Sequence, residues 1–380
     1  MTLKVTALGT YDKGKPRTRI LIRGLQENGV EVTECHQPVW TGIEDKSQIK
    51  GLGRKFKVSF SILAAYPRLA YRYMKLPRHD VVLIGYLGLF DLLFLWPVIK
   101  FRGVPIVWDV FISLYNTVVE DRALISKNNP VAWILYLTEW MAIRLADRVI
   151  MDTEAHAEYL RRTYNCTEDK VKSVFVGAEP EAFDLKALDT IEVDPDSRPI
   201  RVLFYGQFIP LHGIETVVQA AKLTERKDVQ WTIIGKGQES NRIRTLISEL
   251  NPSNINLVEW VEYKQLVKYL AQSHVALGIF GKTQKAQLVI PNKVFQIMLA
   301  NRPLVTLDTP AMRELIPHSD DRVSLLPSAD PALLAAEVFN IVDRTGKSPD
   351  FEGNSQVRDL IIPIQIGRRL LDIVKPLKLH

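Results

Sequence analysis

Short apolar runs of strand length alternate along this chain with longer amphipathic stretches. In the first half the runs are Lys4–Leu8, Val30–His36, Val81–Ile84, Pro105–Trp108, Arg148–Met151 and Val171–Phe175. Strands separated by helical patterns of this length predict a parallel sheet covered by helices on both faces. Residues 184–199 interrupt the alternation with acids and prolines of no clear period, the composition of a linker. The alternation then restarts with Arg201–Tyr205, Gln230–Ile234, Ile255–Leu257, Val275–Ile279 and Leu304–Thr306. Helices are expected from about Ile214, around Ser240–Leu250, around Tyr263–Ser273 and after Pro291. The pattern predicts an α/β chain of two doubly wound domains, residues 1–188 and 200–360, joined by a linker at 189–199. A last helical pattern, Ile361–Val374, places residues 361–380 back on the first domain.

Composition narrows this picture without redirecting it. A chain of 380 residues is too long for one ordinary core, and its 47% apolar content fills two. Two cysteines, Cys35 and Cys166, make neither a disulfide framework nor a zinc-ligand spacing, which fits a reducing cytoplasm. The start of the chain enters a strand directly, without the apolar core or cleavage site of a signal peptide. The segment from Val81 to Ile99 is apolar and near the length of a membrane span, but Gly85, Gly88, Asp91 and Pro97 break it. It reads as a strand followed by a buried helix.

The stretch from Val289 to Thr306 carries the most chemistry. Pro291 suits the first turn of a helix that leads through Arg302-Pro303 into a buried strand, and such a helix start leaves N–H groups free for an anion. Two further strand-to-helix turns, Tyr205-Gly206-Gln207 and Gly235-Lys236-Gly237, repeat the arrangement. Lys293, Lys236 and His212 stand at or near these helix starts, and Gln296 lies one turn beyond Asn292 and Lys293 on the same face. The Gly235 turn lacks the third glycine of a dinucleotide fingerprint, since that position is Ser240, which argues against hydride transfer. Asp109 ends a predicted strand, where doubly wound sheets place their chemistry; it either orients a substrate hydroxyl or caps the next segment. His79, His156 and His274 stand without a partner pattern, and no acidic cluster marks a metal site.

These residues resemble a GT-B glycosyltransferase, specifically the retaining transferases of family 4. The run Leu203 to Glu215 is similar to the family's strand, glycine loop and helix start. Trp231 to Gly237 resembles its second glycine turn, Ile290 to Val305 its donor-site helix, and Gly9-Thr10-Tyr11-Asp12 with Arg17 the N-terminal loop that faces the donor. The resemblance implies two Rossmann-like domains facing a central cleft, with a nucleotide-diphosphate sugar as co-substrate, no resident cofactor or metal, and front-face transfer to a glycan or lipid-linked acceptor. Gly206, Gln207, His212, Gly235, Lys236, Pro291, Asn292, Lys293 and Gln296 would hold the donor. Asp109, His212 and Lys293 would act in catalysis. Departures accompany the match: Gln207 and His212 replace a basic pair, and Leu288 and Gln296 replace two glutamates. They keep open a non-catalytic binding protein, while the loss of both glutamates argues against the other alternative on the same fold, a nucleotide-sugar 2-epimerase.

A basic region stands apart. Between Lys46 and His79 nine cations occur without one Asp or Glu, interleaved with aromatic and aliphatic residues. Arg54, Lys55, Arg68, Arg72 and Lys75 are expected to meet an anionic membrane, on the inner face of the cell membrane, or the acceptor. Nothing else in the chain supports nucleic acid as a partner.

Overall fold

The computed structural model describes residues 2–40, 52–182, 194, 197–225, 227–318, 320–346 and 355–378. These fall into two compact units, Met1–Gly177 with Pro363–His380, and Ala178–Ile362. The first unit ends short of the predicted boundary at residue 188, because the Ala178 N–H already donates to the Ile361 carbonyl of the second unit (2.9 Å). Most of the predicted linker, at 183–193 and 195–196, lies outside the described residues.

The first unit holds β1 (Lys4–Gly9), β2 (Glu31–His36), β3 (Val81–Ile84), β4 (Ile106–Asp109), β5 (Arg148–Met151) and β6 (Val171–Ser173). Every pairing is parallel, in the order β2-β1-β3-β4-β5-β6. Strands buried on both faces read as continuous apolar runs, and β3 and β4 are buried at every residue. The predicted strand to Phe175 stops at Ser173, because the Val174 and Phe175 carbonyls turn to the Arg17 guanidinium (2.6 and 2.9 Å). The helices are α1 (Pro16–Glu27), α2 (Leu52–Met74), α3 (Leu89–Phe101), α4 (Pro130–Leu145) and α5 (Glu154–Tyr164). The segment that resembled a membrane span is β3 followed by α3, and among the described residues no helix is long and apolar enough to cross a membrane.

The second unit holds β7 (Ile200–Tyr205), β8 (Val229–Ile234), β9 (Ile255–Val258), β10 (Val275–Leu277), β11 (Leu304–Leu307) and β12 (Val323–Leu326). They are parallel in the order β12-β11-β10-β7-β8-β9, the doubly wound arrangement whose strand order reverses between β7 and β10. Its helices are α6 (Ile214–Leu223), α7 (Ser240–Leu250), α8 (Tyr263–Gln272), α9 (Gln284–Leu288), α10 (Asn292–Leu299), α11 (Pro310–Leu315), α12 (Pro331–Gly346) and α13 (Ser355–Ile361).

The final helix, α14 (Pro363–Val374), belongs to the first unit. It lies on α1 with Gly24 and Gly367 backbone to backbone: a Cβ on Gly367 would come within 2.0 Å of the Gly24 carbonyl carbon. The predicted helix Ile361–Val374 is α14, which starts two residues later at Pro363, where the chain passes from the second unit to the first; Ile361 instead ends α13.

Candidate functional site

At the β7/β10 reversal the end of β7 passes into Gly206, whose φ of +146° suits glycine alone. A Cβ there would stand 2.8 Å from Cε1 of His212, so the missing side chain makes room for the imidazole. Nδ1 of His212 lies 2.5 Å from the Gln207 carbonyl, which can only accept, so the ring proton is on Nδ1 and Nε2 keeps a lone pair while the ring is neutral. The ring is 8% exposed. Burial, reinforced by Lys293, holds its pKa well below the ordinary imidazole range.

The second glycine turn presses on the first, for a Cβ on Gly235 would lie 1.9 Å from the Gly206 carbonyl oxygen. Phe208 N–H donates to the Lys236 carbonyl (3.1 Å) while the Lys236 side chain is exposed. That lysine contributes its backbone to the turn.

Pro291 sits one residue before the predicted position, as the extended N-cap of α10 (ψ 148°), and supplies no side-chain cap. Its fixed φ ends the preceding extended segment and leaves Asn292, half-buried, as the first helical residue. Lys293 follows, 5% exposed, and its Nζ has no hydrogen-bond partner among the described residues. The ammonium group lies 3.6 Å from the centroid of the Phe204 ring, whose edge in turn faces His212 at 6.0 Å. Burial pushes the lysine pKa well below its usual value. Burial makes the charged form of this amine costly, and an arriving anion would relieve that cost.

Gln296 lies one turn on. Its Oε1 accepts from Tyr205 Oη (3.1 Å) and its Nε2 donates to Tyr263 Oη (3.3 Å). Tyr205 also reaches the Lys293 carbonyl (3.3 Å), tying the end of β7 to the first turn of α10. The sequence alone assigns the side chains of Tyr263, Phe204 and Tyr205 no role in the site. Their role arises from pairing between β7, α8 and α10, which no local pattern encodes. Leu288, at one of the family's glutamate positions, packs against the small apolar cluster of Leu211, Ile279, Ala286 and Val289. A cavity of about 380 Å³ borders the same turn at Pro210, Gly213 and Phe280, but no predicted site residue lines it.

The first unit corrects two expectations. Asp109 is fully buried at the end of β4, where both carboxylate oxygens accept from Arg17 (2.9–3.1 Å). Burial pushes its carboxyl pKa up against the opposing pull of the guanidinium. Arg17, expected to face the donor, is itself fully buried, its remaining donors spent on the Val174 and Phe175 carbonyls. Asp109 is therefore neither available to a substrate hydroxyl nor a helix cap. The Gly9 loop is closed from within: Thr10 donates to Asp91 through N–H (2.6 Å) and Oγ1 (2.9 Å), Tyr11 Oη donates to Glu34 (2.5 Å), and Asp12 accepts from the Gly14 N–H (2.8 Å). A Cβ on Gly9 would strike Asp91 at 2.2 Å. Arg68, Arg72 and Lys75 are exposed at the end of α2 and just beyond it. Lys46 and Lys50, and the side chains of Arg54 and Lys55, lie outside the described residues. Among the described residues no group of three His, Cys, Asp or Glu side chains could hold a metal ion.

Comparison with known proteins bears on this geometry. Residues 199–344 match the family described as glycosyl transferases group 1. The amylovoran biosynthesis glycosyltransferase AmsK of Erwinia amylovora is 25% identical over 182 residues, covering 46% of this chain and 43% of AmsK. The match thus spans less than half the length of that relative. Sucrose-phosphate synthase from Thermosynechococcus elongatus superposes with a TM-score of 0.68 at 15% identity, covering 99% of each chain. Anabaena HepE in complex with UDP-glucose gives a TM-score of 0.65 at 12% identity, over 99% of this chain and 100% of that one. At such identities the likeness is one of fold. The chain as a whole has the GT-B fold, and residues 199–344 of its second unit match the glycosyl transferases group 1 family.

Proposed function

We propose that the chain is a retaining, metal-independent glycosyltransferase. It moves a sugar from a nucleoside-diphosphate donor, held by the second unit, to a hydroxyl of a glycan or lipid-linked acceptor held by the first. The observation that carries this reading is Lys293, a buried amine in the first turn of α10 whose Nζ has no hydrogen-bond partner among the described residues. As the bond from sugar to phosphate breaks, charge gathers on the leaving diphosphate. Lys293, the free N–H groups of α10 and a protonated His212 would meet that charge without a metal ion. The departing phosphate oxygen takes the acceptor proton, so no carboxylate base is needed and the burial of Asp109 is no obstacle. The amide of Gln296, fixed between two tyrosines, suits a ribose or sugar hydroxyl. That HepE was solved with UDP-glucose supports a UDP-sugar donor. The AmsK name, an amylovoran biosynthesis glycosyltransferase, supports a role in polysaccharide synthesis; we assign that synthesis to the inner face of the cell membrane. The 2-epimerase alternative needs acidic or histidine groups around the sugar, and Leu288 and Gln296 stand where the family's glutamates would be.

Calorimetry with UDP tests the site. Lys293→Ala should weaken binding by about 1.5–3 kcal/mol, the range for a hydrogen bond to a charged group. Unchanged affinity in a folded variant removes Lys293 from the donor site. Transfer from a radiolabelled UDP-sugar should persist in EDTA. Binding without turnover against any acceptor turns the reading toward a non-catalytic protein, and loss of transfer that magnesium restores defeats metal independence.

A further inference from the structure

The helices α2, α3 and α4 lie side by side on one face of the first sheet, α3 touching both neighbours. Their inward residues, among them Tyr66, Leu69, Leu92, Leu95 and Ile143, join the core beneath. A helix in that position ordinarily turns a polar face to solvent. α3 and α4 do not. On α4, Trp133 (63% exposed), Ile134 (60%), Leu137 (55%) and Met141 (44%) point outward, and on α3 so do Phe90 and Phe94, their rings 6.5 Å apart. In the second unit the exposed large apolar residues, such as Leu223, Trp260 and Leu333, are scattered singly over different elements. Scattered residues need no explanation, whereas a contiguous aromatic and aliphatic face marks an interaction surface.

The charges around this face define its occupant. The three helices contain two acids, Asp91 and Glu139, and both are buried. Asp91 accepts from Thr10, and Glu139 from Ser113 Oγ (2.7 Å) and Tyr164 Oη (2.6 Å). Outward-facing charge on these helices is cationic: Arg68 and Arg72 on α2, Lys100 on α3 and Arg144 on α4, with Lys75 just beyond α2. The Arg144 guanidinium lies 3.9 Å from the centroid of the Trp140 ring, so its stem runs along the apolar face with the charge at its edge. Aromatic and aliphatic side chains bordered by cations, with no exposed carboxylate on the three helices themselves, match the acyl boundary and the anionic headgroups of a bilayer.

We infer that the face formed by α3 and α4, with the cations at the end of α2, docks the first unit on an anionic lipid surface by inserting its apolar side chains among the headgroups. The inference deepens the membrane part of the proposed function and does not depend on the donor site. The cations draw the protein to the surface, and insertion of the α3–α4 side chains holds it there.

Flotation of the 380-residue chain with phosphatidylcholine vesicles, with and without phosphatidylglycerol, tests the inference. Binding should require the anionic lipid. Trp133→Ser combined with Leu137→Gln should weaken it roughly tenfold or more, since apolar insertion sets the strength of interfacial binding. These residues are exposed, so the variant should fold, and unchanged UDP affinity of the second unit serves as the control. Arg68→Glu with Arg72→Glu should remove the dependence on acidic lipid. Brominated acyl chains should quench tryptophan fluorescence in the parent and less in the Trp133 variant. Equal flotation of parent and Trp133/Leu137 variant, or no quenching by brominated chains, overturns the inference. Sedimentation velocity showing a lipid-free dimer that the same variant dissolves would assign the face to a second copy and overturn it as well. Loss of UDP binding by the parent would defeat the donor reading and leave this one standing.

Discussion

Two charged pairings of opposite kinds determine what single residues can do in this chain. Asp109 and Arg17 close on each other in the core of the first unit, each fully buried. Removing one partner strands the other charge, which in buried pairs costs ~3–5 kcal/mol. Asp109→Ala should destabilise the first unit by that amount in urea unfolding while leaving UDP affinity intact. A variant of parental stability that fails only in transfer would return Asp109 to the chemistry. His212 and Lys293 form the other kind, two bases with no acid between them. The Nε2 of His212 donates to a phosphate only when the ring is protonated, and burial and Lys293 push the ring toward its neutral form. A phosphate dianion reverses that balance and raises the pKa, so binding takes up protons and weakens as pH rises through the raised pKa. Heats of UDP binding near pH 7.5 should differ between buffers of high and low ionisation enthalpy. The difference should shrink in His212→Gln; equal heats in the parent would show that neither base gains a proton.

At the scale of elements, the apolar runs of the buried parallel strands were legible because nothing in them competes with the pattern. β3 (Val81–Ile84) and β5 (Arg148–Met151) match their expected bounds, and the other predicted strands differ by a residue or two at an end. β12 was not found, since Ser324 interrupts a short run that opens after charged Asp320, Asp321 and Arg322. The short α9 was missed because five residues are too few to show a period. The donor-site turns were visible through glycine and proline, whose backbone demands are local. The site's electrostatics were not. Lys293 Nζ has no hydrogen-bond partner among the described residues and meets the ring of Phe204, which β7 brings in from far away in sequence. Arg17 meets Asp109 only because α1 crosses the end of β4, a coincidence of topology across 92 residues of sequence. The outward face of α4 was equally hidden, for a helix apolar all round reads in sequence as a core helix. Only the fold shows which side lacks a neighbour.

For the molecule as a whole, the first unit is assembled from both ends of the chain. α14 buries Ile366, Leu370, Leu371 and Val374, and Asn28 Nδ2 donates to the Ile364 carbonyl (2.7 Å). Each such aliphatic contributes about 1.5–3 kcal/mol when fully buried, offset in part by the entropy of ordering the helix. A chain ending at Ile362 should therefore lose several kcal/mol from the first unit, about 10 °C in its melting temperature by the usual scaling for a unit of this size. The second unit, whose core contains no residue beyond Ile362, should melt as before and still bind UDP. Calorimetric scanning with and without UDP separates the two transitions, because the ligand raises only the one belonging to the unit that holds it. Gly367→Val is the milder companion, since its side chain would drive into the backbone of Gly24 and push α14 off α1 without shortening the chain. Should the truncated chain keep both transitions at their parental temperatures, α14 would be an appendage and the first unit would be complete at Gly177. If instead both transitions fall together, the two units unfold as one, and the division of labour proposed between donor and acceptor units would have to be sought in a single cooperative body.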